Sequence, residues 1–151
     1  MAVSRHGARL WDTSTWKIVA TTNFATDRLD FDPAGKRLLT CLWTWGESVT
    51  YARLYTVPDL KAIKQIRVSD FGCNCDRFSA DGKRIICGIQ KTSDIRPQQA
   101  LLIDINSERV LKRLQADFES IDDFIDLPKQ KEIAVAVFGH TRRPVVLWKV
   151  K

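Results

Sequence analysis

Short apolar and β-branched runs alternate with turn sequences along the whole chain. Several runs are apolar at consecutive positions, among them Leu38-Leu39, Ile85-Ile86-Cys87 and Ile133 to Phe138. Consecutive apolar residues suit strands buried on both faces, as in sheets stacked face to face. A helical reading fails, because Gly or Pro interrupts most segments before a normal helix length is reached. The pattern predicts an all-β chain with strands near 1–4, 8–12, 16–20, 28–32, 37–42, 50–56, 62–68, 75–79, 84–89, 100–105, 109–114, 121–126, 132–138 and 145–150.

These strands recur with a period. Arg9-Leu10-Trp11-Asp12, Arg53-Leu54-Tyr55-Thr56, Leu101-Leu102-Ile103-Asp104 and Val146-Leu147-Trp148-Lys149 share one pattern, their leucines separated by 44, 48 and 45 residues. A second marker runs between them. Leu29-Asp-Phe31-Asp-Pro-Ala-Gly35-Lys-Arg-Leu38 matches Asp76-Arg-Phe78-Ser-Ala-Asp-Gly82-Lys-Arg-Ile85 at an offset of 47, and Phe124 to Ile133 is a weaker third copy. Pro-Ala-Gly and Ala-Asp-Gly are hairpin turns in which Gly supplies a positive φ. Two markers that keep one period define a repeat.

On these residues the chain resembles the WD-repeat β-propeller family, which repeats at roughly 40 to 45 residues with four strands per blade and a Trp-Asp pair closing one strand. Trp11-Asp12 matches that dipeptide, whereas Tyr55-Thr56, Ile103-Asp104 and Trp148-Lys149 are degraded forms of it. The family's Gly-His pair occurs only as Gly139-His140, displaced from its usual place. The resemblance implies antiparallel four-stranded blades, ordered a to d from the inside out, in an incomplete ring. The expected division is a partial blade over 1–20, whole blades over 21–68 and 69–114, and a partial last blade over 115–151. Fourteen strands make three and a half blades, fewer than closed propellers use. Two copies would supply enough strands for seven blades, but their ends duplicate two strands and do not fit in phase. The expectation is therefore the C-terminal part of a longer propeller, completed by upstream residues or another chain.

Composition adds modest constraints. A chain of 151 residues holds one domain's worth of core, and a net charge of +6 permits an acidic partner without specifying one. The apolar runs are too short to cross a bilayer, and the first residues carry no signal-peptide pattern. With Cys41, Cys73, Cys75 and Cys87 read as free thiols, the expected location is intracellular, in the cytoplasm. Cys41 and Cys87 fall at equivalent places in neighbouring b strands and read as small core residues. Cys73-x-Cys75 has no second pair nearby in sequence, so no metal or cofactor is expected.

No enzyme is expected either. His6 and His140 fall in b–c turns with no nucleophile elbow, phosphate loop or zinc-protease pair in the sequence. Asp122, Asp123 and Asp126 read as carboxylates at strand ends and turns, in water. The resemblance implies instead a scaffold that offers its loops to a protein or peptide partner. Candidate contacts are Trp43, Trp45, Phe71, Arg96, His140, Arg142 and Arg143 on long loops of one face, since Trp and Arg anchor interfaces. On the opposite edge Lys36, Arg37, Lys83, Arg84, Lys129 and Lys131 follow a–b turns and form a possible polyanion edge, diluted by Asp12, Asp32, Asp59, Asp81 and Glu108; nucleic acid is not the expected partner. A regulatory or sensor segment of a larger multidomain enzyme, and a polyanion-binding module, are the alternative readings.

Overall fold

The computed structural model describes residues 2–4, 7–23, 28–42, 49–70, 72–90, 99–115, 120–138 and 144–150. The described residues are all-β and form four antiparallel sheets, each a meander of consecutive strands. The first holds β1 (Ala2–Ser4), β2 (Gly7–Trp11) and β3 (Ile18–Thr22). The second runs through β4 (Arg28–Phe31), β5 (Arg37–Leu42), β6 (Thr50–Thr56) and β7 (Ala62–Ser69). The third runs through β8 (Gly72–Phe78), β9 (Arg84–Gln90), β10 (Gln99–Asp104) and β11 (Val110–Gln115). The fourth has β12 (Ser120–Leu127), β13 (Glu132–Phe138) and β14 (Val145–Lys149). Strands β4, β8 and β12, which open their sheets, touch one another in series and make the inner edge. The fold is an incomplete, propeller-like stack, and no described helix is long and apolar enough to cross a membrane.

The turns repeat as faithfully as the strands. In each of three hairpins joining the last two strands of a sheet, a strand-end amide donates across a four-residue loop, Asp12 to the carbonyl of Lys17, Thr56 to that of Lys61 and Asp104 to that of Arg109, while its own carbonyl accepts from the fourth loop residue. The fourth loop position has positive φ in each, at Trp16 (57°), Leu60 (53°) and Glu108 (59°). Asp12 and Asp104 fold their carboxylates back onto the amides of Ser14 and Ser107, both at 2.7 Å, which offsets that local cost. This capped turn delays the third strand to Ile18–Thr22, past the expected 16–20. Gly35 (66°) and Gly82 (67°) provide the left-handed position in the β4–β5 and β8–β9 hairpins, as the turn sequences predict.

Burial follows from parity along the strands. Leu10 packs with Leu38, Tyr55 and Leu60 between the first and second sheets. Leu39, Ala52, Leu54 and Ile66 meet Phe78, Ile85, Cys87, Leu101 and Ile103 between the second and third. Ile86, Ala100 and Leu102 meet Ile121, Phe124, Ile133, Val135 and Trp148 between the third and fourth. Each fully buried Leu or Ile contributes roughly 1.5–3 kcal/mol to the stack.

Polar ties clip adjacent sheets at both edges. At the inner edge Arg77 donates to both oxygens of Asp123 (2.9 and 3.0 Å) and pairs with Asp30 at 3.4 Å, linking three sheets through strands β4, β8 and β12. Asp30 also accepts from the amide of Phe78, and Asp126 from that of Ala80, both at 2.7 Å. Asp123 and Asp126 are thus ties between sheets, a correction to their expected place as strand-end carboxylates in water. At the outer edge Lys64 reaches the carbonyls of Ile105 and Asn106 and the carboxylate of Glu108, and the equivalent Lys112 reaches the carbonyl of Lys149.

Candidate functional site

The seven candidate partner contacts, Trp43, Trp45, Phe71, Arg96, His140, Arg142 and Arg143, lie outside the described residues, as does His6. The six basic residues of the opposite edge are described. Arg37 is held by Asp32 at 3.0 Å, donates to the carbonyl of Gly82 and lies over the ring of Phe78, so it works as a clamp between sheets. Arg84 pairs with Asp81 at 3.0 Å. Their positions bring Arg84 and Lys131 to one cleft, lined also by Asp126, Ser79 and Leu102, between the third and fourth sheets. Lys36, Lys83 and Lys129 are exposed on the turns. Hydrogen bonds from the turn amides and from Arg37 hold Asp32 below the usual carboxylate range against the opposing effect of its burial; Ser79, Lys83 and Arg84 do the same for Asp81.

The densest concentration of chemistry lies elsewhere, buried between the second and third sheets. Cys41 projects from β5, Cys73 and Asp76 from β8, and Cys87 from β9. The thiol of Cys73 donates to Oδ1 of Asp76 at 3.1 Å. The ligand atoms of Cys41, Cys73 and Asp76 all lie within 4.8 Å of one another. Cys87 stands opposite Asp76 in the β8–β9 ladder, near enough to both Asp76 and Cys73 to act on them electrostatically. Asp76 is 4% exposed, and its second oxygen, Oδ2, has no hydrogen-bond partner among the described residues. Burial, and then the neighbouring Cys73, push the Asp76 carboxyl well above the usual carboxylate range. The Cys41 and Cys87 thiols are likewise pushed well up, by their hydrogen bonds to Cys73 and then by burial. No ion pair among the described residues involves Asp76.

The expected equivalence of Cys41 and Cys87 is corrected by the ladder. Leu38 pairs with Phe31 and Ile85 with Phe78, an offset of 47, so Cys41 corresponds to Gly88 and Cys87 to Thr40. The two cysteines are 46 apart, and one residue of slip reverses the face. Cys41 therefore points forward out of the second sheet while Cys87 points back out of the third, into the same seam between the two sheets. A residue-by-residue reading of strand parity would have found the pair; spacing along the sequence hid it. The β-bulge between Cys73 and Cys75 places Cys73 on the same face as Asp76, three residues on.

A second feature is the free face of the fourth sheet. Ile125, Val145 and Leu147 are 62%, 52% and 58% exposed. Leu147 pairs with Ala134 as Leu54 pairs with Leu39 and Leu102 with Ile86. Leu54 and Leu102, at 1% and 2% exposure, are covered by the next sheet.

No family model matches the sequence, and no curated protein matches it. In fold, 502 chains of solved structures match. One is a chain of hydrazine synthase from Kuenenia stuttgartiensis, similar at a TM-score of 0.55 and 18% identity over 87% of this chain and 49% of that one. A likeness at that identity concerns the fold, and this chain spans about half the length of the one it matches.

Proposed function

We propose that this chain is a non-enzymatic protein-interaction scaffold of the WD-repeat propeller type, and that its fourth sheet docks a further blade-like sheet. The observation behind this reading is Leu147. It sits where Leu10, Leu54 and Leu102 each pack under a following sheet, yet it stands in water with Val145 and Ile125 around it. An apolar face built to a stacking repeat fits a partner built to the same repeat.

The occupant to which the residues commit is the first sheet of a second copy. At each internal junction the following sheet inserts an aromatic or branched residue from its third strand: Tyr55, Ile103 or Trp148, all buried. Trp11 holds that position in the first sheet and is half-buried. Stacked face to face as two separate three-stranded sheets, and not merged into the one blade that fails in phase, the copies would reuse an interface the chain already makes internally, a heterologous contact that closes into a ring or extends. The basic edge supports a polyanion partner less well, because Arg37 and Arg84 are engaged by Asp32 and Asp81.

Sedimentation velocity across a range of protein concentrations tests the proposal. Wild type should self-associate as concentration rises, and Leu147→Lys should remain folded and monomeric. A wild-type chain monomeric at every concentration would overturn it, as would unchanged association of Leu147→Lys.

A further inference from the structure

The polar group between the second and third sheets is chemically out of place between sheets packed through apolar clusters. We propose that Cys41, Cys73, Cys87 and Asp76 form a closed structural site for a thiophilic divalent cation, zinc by its chemistry, that joins the second sheet to the third. This goes beyond the scaffold reading and does not depend on it.

Donor type comes first. Three sulfurs and one carboxylate oxygen are a zinc-type set; magnesium and calcium want oxygen alone. Geometry comes next. A Zn–S bond of about 2.3 Å in a tetrahedron puts neighbouring donors roughly 3.8 Å apart. The ligand atoms of Cys41, Cys73 and Asp76 already lie within 4.8 Å of one another, and Cys73 is 3.1 Å from Asp76. Cys87, opposite Asp76 in the β8–β9 ladder, lies outside that group of three and would swing in as the fourth donor on binding.

An independent observation points the same way. Oδ2 of Asp76 is buried without a hydrogen-bond partner among the described residues. An orphaned buried carboxylate oxygen costs on the order of a lost hydrogen bond or more, so it calls for a ligand. A cation at the centre of the four donors would take that lone pair. On binding, the ion displaces the protons from the donors it engages and those protons pass to solvent; no oxidation state changes. With four protein ligands no coordination position stays open, so the site is structural and not catalytic.

The whole chain, purified under reducing conditions and stripped by a chelator, is loaded with Zn2+ or Co2+. We expect one ion per chain after gel filtration, a thiolate-to-cobalt charge-transfer absorption, and a melting midpoint raised by roughly 5 °C or more with zinc. Cys73→Ser and Asp76→Asn should each lose the retained ion while keeping the β-sheet circular dichroism spectrum. If either variant fails to fold, the cobalt spectrum of the wild type decides: thiolate charge transfer supports the site, and its absence overturns it. Stoichiometric retention by a folded Cys73→Ser variant would place the ion elsewhere and overturn the proposal. So would a wild type that holds no ion, or one whose thiols are consumed by a disulfide.

Discussion

The second-to-third and third-to-fourth sheet junctions occupy the same repeat positions and hold opposite chemistry. Cys73 pairs with Ile89 as Ile121 pairs with Val137, and Asp76 with Cys87 as Phe124 with Val135. Cys73, Asp76 and Cys87 therefore stand where Ile121, Phe124 and Val135 stand one sheet later. Cys41, facing them, stands where Gly88 does. At the third-to-fourth junction the three equivalents are buried in an apolar cluster. The difference teaches that the repeat fixes where side chains converge and leaves their polarity free. An apolar solution for these positions exists within the same chain, so packing alone does not account for a buried carboxyl among thiols.

The largest way to break the comparison is to carry the polar chemistry across without its partners. Phe124→Asp removes a buried aromatic and puts a lone carboxyl among Ile121, Val135 and Leu102. We expect a loss of about 3–5 kcal/mol, read from urea unfolding, from the cavity and the unpaired polar group together. A loss under about 1 kcal/mol would mean that the fourth sheet is not packed on the third in solution.

The converse change sharpens it. Asp76→Leu installs the residue that β4 carries, Leu29, at the matching place. In chelator the variant should be more stable than wild type at neutral pH by about 1–3 kcal/mol, because a desolvated carboxyl is gone. The sign with pH follows from the raised carboxyl of Asp76. Between the usual carboxylate range and its raised value, the folded chain holds a proton that the unfolded chain has lost. Metal-free wild type therefore loses stability as pH rises through that interval. Asp32, Asp81 and Asp123, held low, act oppositely: their stabilisation is present above the carboxylate range and lost as pH falls through their folded values. Asp76→Leu should keep the acid loss and shrink the decline above it to the share of Asp30, which burial also raises; an unchanged decline would refute the assignment to Asp76.

Much of the fold is legible in the sequence, for identifiable reasons. All fourteen strands are anticipated because short apolar and β-branched runs, Gly turns and a repeat of about 47 residues reinforce one another. The site is not legible in the same way. Its four ligands come from three strands of two sheets, and their convergence depends on a one-residue difference in register and on a bulge, neither of which spacing along the chain records. Asp76 aligns with Leu29 and Phe124, so a charged residue at an apolar repeat position was the available signal. Arg77, Lys64 and Lys112 carry no motif at all; their roles depend on which carbonyls and carboxylates the neighbouring sheet presents.

Arg77 offers a smaller test, because it lies beside Asp76 in the chain and on the opposite face of β8. Replacing it with Met should cost about 1–2 kcal/mol. The pairs are partly exposed, with Arg77 at 37% side-chain exposure and Asp123 at 47%, so most of the cost comes from the more buried Asp30. Half the effect or more should disappear in high salt if Coulomb attraction carries it. Because Met keeps an apolar stem, a salt-independent loss would assign it to the hydrogen bonds of the guanidinium to Asp123 and Asp30 instead. Zinc retention should be unchanged in this variant, which separates the inner-edge tie from the thiol pocket.

The smallest expected effect concerns the free face. Leu102→Ala should cost about 2–5 kcal/mol, since Leu102 is 2% exposed under the fourth sheet. Leu147→Ala, at the same repeat position and 58% exposed, should cost under about 0.5 kcal/mol in dilute solution. At concentrations where copies stack, the same substitution should shift the association midpoint upward, because the face is then covered. If Leu147→Ala costs as much as Leu102→Ala even at high dilution, the fourth sheet is already covered within a single chain, and the exposed leucine no longer argues for a second copy.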